Sequence, residues 1–336
     1  MKIPKKMNCI KINGYGGLDK LMMVKKEIPS ISSEEVLIKV FYSGVNRPDI
    51  LQRQGKYKPP KDANPLPGLE VSGKITKVGK KVKGFKAGDK VCALTHGGGY
   101  AEYCKVFWQH VLKIPKGMSY IESAAIPETF FTVWANLFDI GKLESTDTVL
   151  IHGGSSGIGT TSIQLAKIYG CKVIVTVGNS KKIKACKKLG ADLAINYKKN
   201  DFTKEIMGYT KNQGVNVILD MVGKKYFKKN IDLLKDKGKL VIIAFLTGNL
   251  TEIDLQSVLK KRLTITGSTL RPRTNKEKAR IAANVKKNYW KLFEKKTIKP
   301  IIFKSFRLSD VRKAHKLMES SEHIGKIVLY NKIKEE

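Results

Sequence analysis

The sequence predicts an α/β protein in which a doubly wound parallel sheet of six strands is joined to a second, mostly β domain. Three observations carry that expectation. From Asp147 onward short apolar runs alternate with helical patterns, and the first third is broken by Gly and Pro turns into short strands. The length of 336 residues, finally, exceeds what one hydrophobic core usually serves.

The β-rich first third contains Val36–Gly44 (VLIKVFYSG), an apolar run of strand length. Val71–Val78 alternates apolar and polar residues, as does Lys90–Leu94 after the Ala87-Gly88-Asp89 turn, and Tyr100–Phe107 is a further strand. His96-Gly97-Gly98-Gly99 looks like a phosphate loop, but no helix follows, so a β-hairpin turn with an exposed His96 is expected there. Glu122–Leu137 is helical and interrupted at Pro127. Strand runs then fall at Thr148–His152, Lys172–Val177, Leu193–Tyr197, Val215–Met221, Lys239–Phe245 and Leu263–Ser268. Helical patterns lie between them, at Gly157–Tyr169, Lys181–Leu189, Phe202–Tyr209, Tyr226–Leu234 and Asp254–Lys260. Strands that are apolar on both faces and separated by crossover helices imply a parallel sheet covered on both sides. Lys276–Lys296 is a long helix, and Lys326–Tyr330 a final strand.

Composition narrows the function classes. Hydrophobic residues make up 42% of the chain, enough for a sizeable core, and no apolar run reaches the ~18 residues of a membrane span. Met1–Gly14 has no signal-peptide apolar stretch and no transit-peptide character, which points to the cytoplasm and away from a membrane. Five cysteines without a C-x-x-C pair argue against a structural zinc site and against a disulfide framework. The net charge of +35 raises nucleic acid as a partner. The basic residues are 56 lysines and only eight arginines, spread from Lys5 to Lys334, whereas phosphate binders cluster them and favour the arginine fork. A nucleic-acid partner is therefore not expected, although weak attraction to polyanions follows from the charge. His110, His152, His315 and His323 show no ligand spacing and are read as structural.

The cofactor signal sits at the first strand of the alternation. His152 runs into Gly153-Gly154-Ser155-Ser156-Gly157-Ile158-Gly159 and then into a helix. A glycine turn at that junction lets a pyrophosphate approach the backbone and rest on the helix N-terminus. As G-x-G-x-x-G the motif has Gly154 first, Ser156 in place of the central glycine, and Gly159 third, with Gly157 and Ile158 opening the helix. The second strand ends at Val177, where an acidic residue would grip the ribose 2′-hydroxyl of NAD. The residues present are Gly178-Asn179-Ser180-Lys181-Lys182, with no carboxylate. A small residue followed by lysine suits a 2′-phosphate, so NADPH is the expected cofactor.

Several further motifs, in order, resemble the zinc-free quinone oxidoreductases of the medium-chain dehydrogenase/reductase superfamily, and most of all the p53-inducible quinone oxidoreductase group. They are Asn46-Arg47-Pro48-Asp49, Arg53-Gln54-Gly55-Lys56-Tyr57 with Pro59-Pro60, and Gly68-Leu69-Glu70-Val71-Ser72-Gly73. Ala124-Ala125-Ile126-Pro127-Glu128, Ser268-Thr269-Leu270-Arg271, Ala314-His315 and Gly325-Lys326-Ile327-Val328-Leu329 continue the series. The resemblance implies a GroES-like catalytic domain over residues 1–127 and 271–336, and a Rossmann NADPH-binding domain over 128–270. It also implies that Asn46 bonds the nicotinamide ribose and that Thr132 and Phe245 border the nicotinamide. Ser156 and Gly157 would meet the pyrophosphate, Gly178, Lys182 and Tyr197 the adenosine end, and Arg271, Gly325 and Lys326 would close over the cofactor. Tyr57 would face the substrate. Where zinc-dependent relatives carry Cys and His ligands, this sequence has Asn46 and Leu69, with Glu128 near the third place, and no metal is expected.

A quinone accepts hydride without a Lewis acid because its reduced anion is delocalised into an aromatic ring, so the missing zinc and a quinone acceptor fit together. The expected activity is NADPH:quinone reduction by a homodimer, the dimer on resemblance alone. An activated alkene, an enone or enal, is the enzymatic alternative. An NADPH-binding protein with an interaction or RNA-binding role is the alternative from another class.

Overall fold

The computed structural model describes residues 3–331. The chain divides into two units, one made of the residues up to Phe131 and from Arg271 onward, the other of Thr132–Leu270. The ends of the expected GroES-like domain, residues 1–2 and 332–336, and with them Lys334, lie outside the described residues.

The first unit opens with an antiparallel hairpin of β1 (Lys6–Ile12) and β2 (Leu21–Glu27), which sequence reading had not identified. Most of β2 is exposed and lysine-rich, so it shows no apolar alternation. Next come β3 (Glu35–Val45), α1 (Arg47–Arg53), β4 (Glu70–Val78), β5 (Lys90–Leu94), β6 (Tyr103–Phe107) and β7 (Val111–Lys113). Strand β3 is central: it pairs antiparallel with β4, and its first half pairs with β6. The glycine segment after β5 does not turn a hairpin, because β5 pairs with β4 and β7 while β6 pairs with β3. Instead its amides bond a neighbouring loop, Gly98 N–H donating to Leu66 O and Gly99 N–H to Gly68 O. The helical stretch around Pro127 splits into α2 (Tyr120–Ser123), α3 (Pro127–Val133) and a π-helical segment, Trp134–Ile140.

In the second unit, strands and helices alternate as β8 (Thr148–His152), α4 (Gly157–Ile168), β9 (Lys172–Val177), α5 (Ser180–Lys188), β10 (Leu193–Asn196) and α6 (Phe202–Tyr209). They continue as β11 (Val215–Asp220), α7 (Lys224–Leu233), β12 (Leu234–Ile242), α8 (Leu255–Lys260) and β13 (Thr264–Gly267). All six strands are parallel, in the order β10-β9-β8-β11-β12-β13. The order reverses beside β8, the topological switch point at which such sheets bind ligands. Every residue of β8 is buried, which is why its sequence is one apolar run. Its core packs Leu150, Ile174, Ile218 and Leu240 with Phe202, Phe227 and Ile231. His152 is held between Thr176 Oγ1 and Asn230 Oδ1, both at 2.8 Å, and burial pushes its imidazole down to about 4.

The chain then returns to the first unit through α9 (Asn275–Glu294), β14 (Ile302–Arg307), α10 (Val311–Ser320) and β15 (Lys326–Tyr330). Thr274 and Glu277 cap α9 reciprocally. Strand β15 joins β3 antiparallel and β14 parallel, so β14 is an edge strand with little buried surface and a weak sequence pattern. The buried Arg53 of α1 pairs with Glu319 of α10. All five cysteines are buried and unpaired, and no helix among the described residues is long and apolar enough to cross a membrane.

Candidate active site

Register brings three polar residues of the first unit to one end of its sheet. Antiparallel pairing sets Val45 opposite Ile327 and Ser43 opposite Val71. Asn46, Lys326 and Glu70 therefore stand at the same end of β3, β15 and β4. Gly44 makes the room: a Cβ there would lie 2.0 Å from Glu70 Oε1. Lys326 Nζ donates to Glu70 Oε1 at 2.6 Å, Asn46 Oδ1 at 2.5 Å and Val45 O at 3.2 Å, so its three protons meet three acceptors. Asn46 Nδ2 donates to Glu70 Oε1 at 3.0 Å, and the Glu128 N–H donates to Glu70 Oε2 at 2.9 Å. Glu70 and Lys326 are buried, at 0% and 4% exposure, so this pair lies where a lone charge is costly.

Asp49, also fully buried, accepts from the Asn46 N–H at 2.9 Å, the Gly68 N–H at 3.0 Å and the Tyr100 hydroxyl at 3.0 Å. Burial raises its carboxyl, and these bonds pull it back. Arg271 donates from Nη1 to Gln52 Oε1 at 2.8 Å and from Nη2 to Asn64 O at 3.4 Å, with its guanidinium carbon 5.9 Å from the centre of the Tyr57 ring. Tyr57 is half-buried in the loop after α1. Burial, then the charge of Glu128, pushes its phenol up to about 12, against the pull of Arg271. The phenol thus stays protonated across the neutral range and is a donor there.

Lys278 of α9 donates to Arg271 O at 2.6 Å and lies 3.4 Å from His96 Nδ1, while His96 Nε2 meets Asp62 at 3.2 Å. Burial brings the Lys278 ammonium down to about 8. Burial and then Lys278 lower the His96 imidazole. His96 is therefore not the exposed residue expected: its ring is 28% exposed and bridges a surface carboxylate to a buried lysine. Glu128, at the start of α3, is half-buried, and its carboxyl has no hydrogen bond or ion pair among the described residues. Burial and then the like charge of Glu70 push it up to about 8.

In the second unit the glycine turn has the shape a pyrophosphate requires. Gly153 adopts φ +68°, and a Cβ on Gly159 would lie 2.4 Å from Gly153 O, so turn and helix close on each other only with glycine at both places. The Ser156 hydroxyl caps α4 by accepting the Gly159 N–H at 3.0 Å, and Gly157 and Ile158 form its first turn. Gly154 bonds Thr176 O at 3.1 Å. Past β9, Gly178 lies beside Tyr197: a Cβ there would be 3.1 Å from the Tyr197 hydroxyl. Asn179 caps α5 by accepting the Lys182 N–H at 2.9 Å, so Lys182 lies in that helix's first turn, with no acidic residue between Gly178 and Lys182. Tyr197 is 42% and Phe245 59% exposed, and Thr132 O accepts from Asn136 Nδ2 at 2.8 Å.

Of the anticipated site residues, the first unit thus holds Asn46, Tyr57, Arg271, Gly325 and Lys326, and the second holds Thr132, Gly154, Ser156, Gly157, Ile158, Gly178, Lys182, Tyr197 and Phe245. Asn46, Arg271 and Lys326, expected to contact the cofactor, direct the bonds described above to partners within their own unit. Gly325 has φ +81° and would put a Cβ 2.2 Å from Ile301 O, so it serves the close approach to residue 301. Sequence reading missed Gln52 and Lys278 as site members, and quoted Asp49 and Glu70 only as parts of motifs. The available signal was an unexplained carboxylate or lysine within an apolar strand or helix face.

The second unit fits a dinucleotide, but the first does not fit zinc. Leu69 is buried and apolar, and the Asn46 oxygen already accepts from an ammonium that a dication would oppose. Among the described residues no group of three or more His, Cys, Asp or Glu could hold a metal.

Residues 32–116 match the alcohol dehydrogenase GroES-like domain, and residues 157–285 match the zinc-binding dehydrogenase family. A quinone oxidoreductase of Rattus norvegicus is 30% identical over 328 residues, covering 97% of this chain and 98% of that protein. The crystal structure of Escherichia coli quinone oxidoreductase complexed with NADPH superposes with a TM-score of 0.87 at 25% identity, covering 96% of this chain and 99% of that one. The CurK enoyl reductase structure gives a TM-score of 0.85 at 25% identity, over 98% and 100% of the two chains.

Removing one partner of the buried pair exposes its role. Lys326→Met leaves Glu70 charged and unpaired, and should cost about 3–5 kcal/mol of stability in the first unit. Adding Glu70→Gln should recover part of that loss. Denaturant melts of the single and double variants would measure both, and equal loss in the two would show that the ion pair is not the source.

Proposed function

The chain belongs to the medium-chain dehydrogenase/reductase family, and from that premise we propose that it is an NADPH-dependent, zinc-free quinone reductase. It is an oxidoreductase with a nicotinamide cofactor; the phosphate on that cofactor and the quinone are the finer reading. The observation that carries the quinone is the neutral Tyr57 phenol beside Arg271, in a unit whose zinc-ligand places hold Asn46, Leu69 and Glu128. An acceptor that needs no metal needs only a donor to its developing oxyanion and correct positioning. The full-length similarity to the rat quinone oxidoreductase supports the same acceptor. Bound NADPH would supply the hydride.

The Gly153–Gly159 turn and the N-terminus of α4 would hold the pyrophosphate, with Gly154, Ser156, Gly157 and Ile158 at the contact. Gly178 would leave room for a 2′-phosphate, Lys182 would pair with it, and Tyr197 would flank the adenosine. Thr132 and Phe245 would border the nicotinamide. Asn46, Arg271, Gly325 and Lys326 would act by holding Glu70 and the Tyr57 loop in place. An activated alkene is the second reading, supported by the likeness to an enoyl reductase. The five unpaired, buried thiols support a reducing compartment such as the cytoplasm.

We also propose a homodimer. Strand β13 leaves one edge of the six-stranded sheet unpaired, and nearby Leu250, Ile253, Leu255 and Leu259 are 76%, 42%, 69% and 76% exposed. An open edge beside exposed leucines is a surface proteins normally cover, and a second copy offers a self-complementary edge.

Four experiments test these readings. NADPH oxidation against a panel of quinones and enones should favour quinones, and turnover confined to enones would select the second reading. Tyr57→Phe should lose about ten-fold in turnover, less than the ~10²–10³ of a demanding oxyanion hole, with NADPH affinity nearly constant; full activity would reduce Tyr57 to a wall. Lys182→Ala should weaken NADPH by about 10- to 150-fold, the worth of a charge-assisted bond of ~1.5–3 kcal/mol, and leave NADH almost untouched. Equal affinity of the unmutated protein for both cofactors would exclude the 2′-phosphate site. Light scattering should report a dimer, and Leu255→Asp with Leu259→Asp a monomer; a dimer that persists would place the contact elsewhere.

A further inference from the structure

Reduction by hydride leaves an acceptor anion that must still gain a proton. The candidates in the first unit are few. Tyr57, at about 12, is a hydrogen-bond donor but a weak acid. Glu70 is bonded at both oxygens, to Lys326 and Asn46 on one and to the Glu128 N–H on the other. Asp49 is fully buried under three donors. His96 is turned to Asp62 and Lys278. Glu128 alone among the three carboxyls has free oxygens and remaining exposed surface.

We propose that Glu128, whose carboxyl oxygens are free beside the bonded Glu70, is the catalytic acid that gives its proton to the reduced acceptor. This rests on the reductase reading. After the two-electron reduction of a quinone by hydride, the Glu128 O–H bond breaks and an O–H bond forms on the quinol monoanion. Quinol leaves, Glu128 remains as carboxylate, and water returns the proton. With an enone the same proton would go to the enolate.

Burial is the main reason Glu128 keeps its proton, and the neighbouring charges leave that effect in place. It faces Glu70 and Asp49, which repel a third negative charge, and Lys326, Arg271 and, more weakly, Lys278, which attract one. Lys326 is already matched to Glu70, and Arg271 directs Nη1 to Gln52 and Nη2 to Asn64, which limits the compensation left for another anion. The neighbouring Tyr57 phenol is neutral throughout. Together these place the carboxyl at about 8, near the operating range where a general acid works best. A quinol oxygen resembles a phenol, whose pKa is about 10, so transfer from Glu128 runs downhill.

Glu128→Gln keeps the shape and removes the proton. Its turnover at pH 7 should fall by about 10- to 100-fold with NADPH affinity unchanged, and Glu128→Asp should recover part of it. Wild-type turnover should be level below pH 8 and fall above it, whereas the Gln variant should lose that fall. Lys278 also titrates near 8, and a decline surviving in the Gln variant would transfer it to Lys278 and overturn the proposal. Thermal melts without cofactor give an independent readout. A carboxyl raised from 4.5 to about 8 by folding stabilises fully below 4.5, and that contribution is lost as pH rises towards 8. The Gln variant should therefore melt increasingly above wild type between pH 5 and 8, with a constant difference beyond. A constant difference over the whole range, or full turnover by the Gln variant, would overturn the assignment. Wild-type protein inactive on every acceptor would instead refute the reductase reading, leaving the melts to judge Glu128.

Discussion

The ion pair between Lys326 and Glu70 is the constraint on which the site of the first unit depends. Its strands reach the pair from three directions in sequence, β3 through Asn46, β4 through Glu70 and β15 through Lys326. A one-residue shift of any of them would flip its side chains to the other face of the sheet and break this cluster. The pair explains Gly44, because any side chain there would collide with the Glu70 carboxylate. It also fixes the start of α3, whose Glu128 N–H is satisfied by the second Glu70 oxygen. A buried ion pair is poor evidence of stability, since desolvation takes back most of the attraction. Its value here is geometric: three segments far apart in sequence share one hydrogen-bonded point.

That geometry bears on the absence of zinc chemistry in the proposed reaction. The residues at the zinc-ligand places are a poor donor set for a dication. The Asn46 oxygen faces a resident ammonium, Leu69 has no lone pair, and Glu128 shares its surroundings with two other carboxylates. A cation fixed by the chain neutralises Glu70, and the remaining carboxyl is left to titrate. The same replacement that disfavours a metal therefore creates a group able to carry a proton.

The fold was legible in proportion to how one-sided each element's burial is. Strands β8 and β9, buried over nearly their whole length, read directly as apolar runs, and the helices between strands kept their periodicity within one or two residues. Strand β2 and the edge strand β14 were missed because their residues are largely exposed and show little apolar alternation, whereas helix α10 was missed although Val311, Ala314, His315 and Met318 are buried at helical spacing. The glycine segment after His96 was misread as a hairpin turn because its partner is the loop at Leu66–Gly68, a contact with no local sequence mark. The dinucleotide turn was legible because strand, glycines and helix are contiguous. The polar cluster was not, since Asn46, Glu70 and Lys326 meet only through the pairing of β3 with β4 and β15.

Tyr57 and Glu128 illustrate how one environment divides two tasks. Both are half-buried, and burial raises both groups, but they start from different places. A phenol that begins near 10 moves out of the physiological range and becomes a fixed donor, whereas a carboxyl that begins near 4.5 moves into it and becomes exchangeable. The Glu128 charge also raises the cost of ionising Tyr57. Losing the proton from Glu128 thus keeps the Tyr57 phenol protonated while the acceptor is being neutralised. The hydrogen bond and the proton need not come from one residue, and separating them lets the bond persist while the proton is spent and replaced.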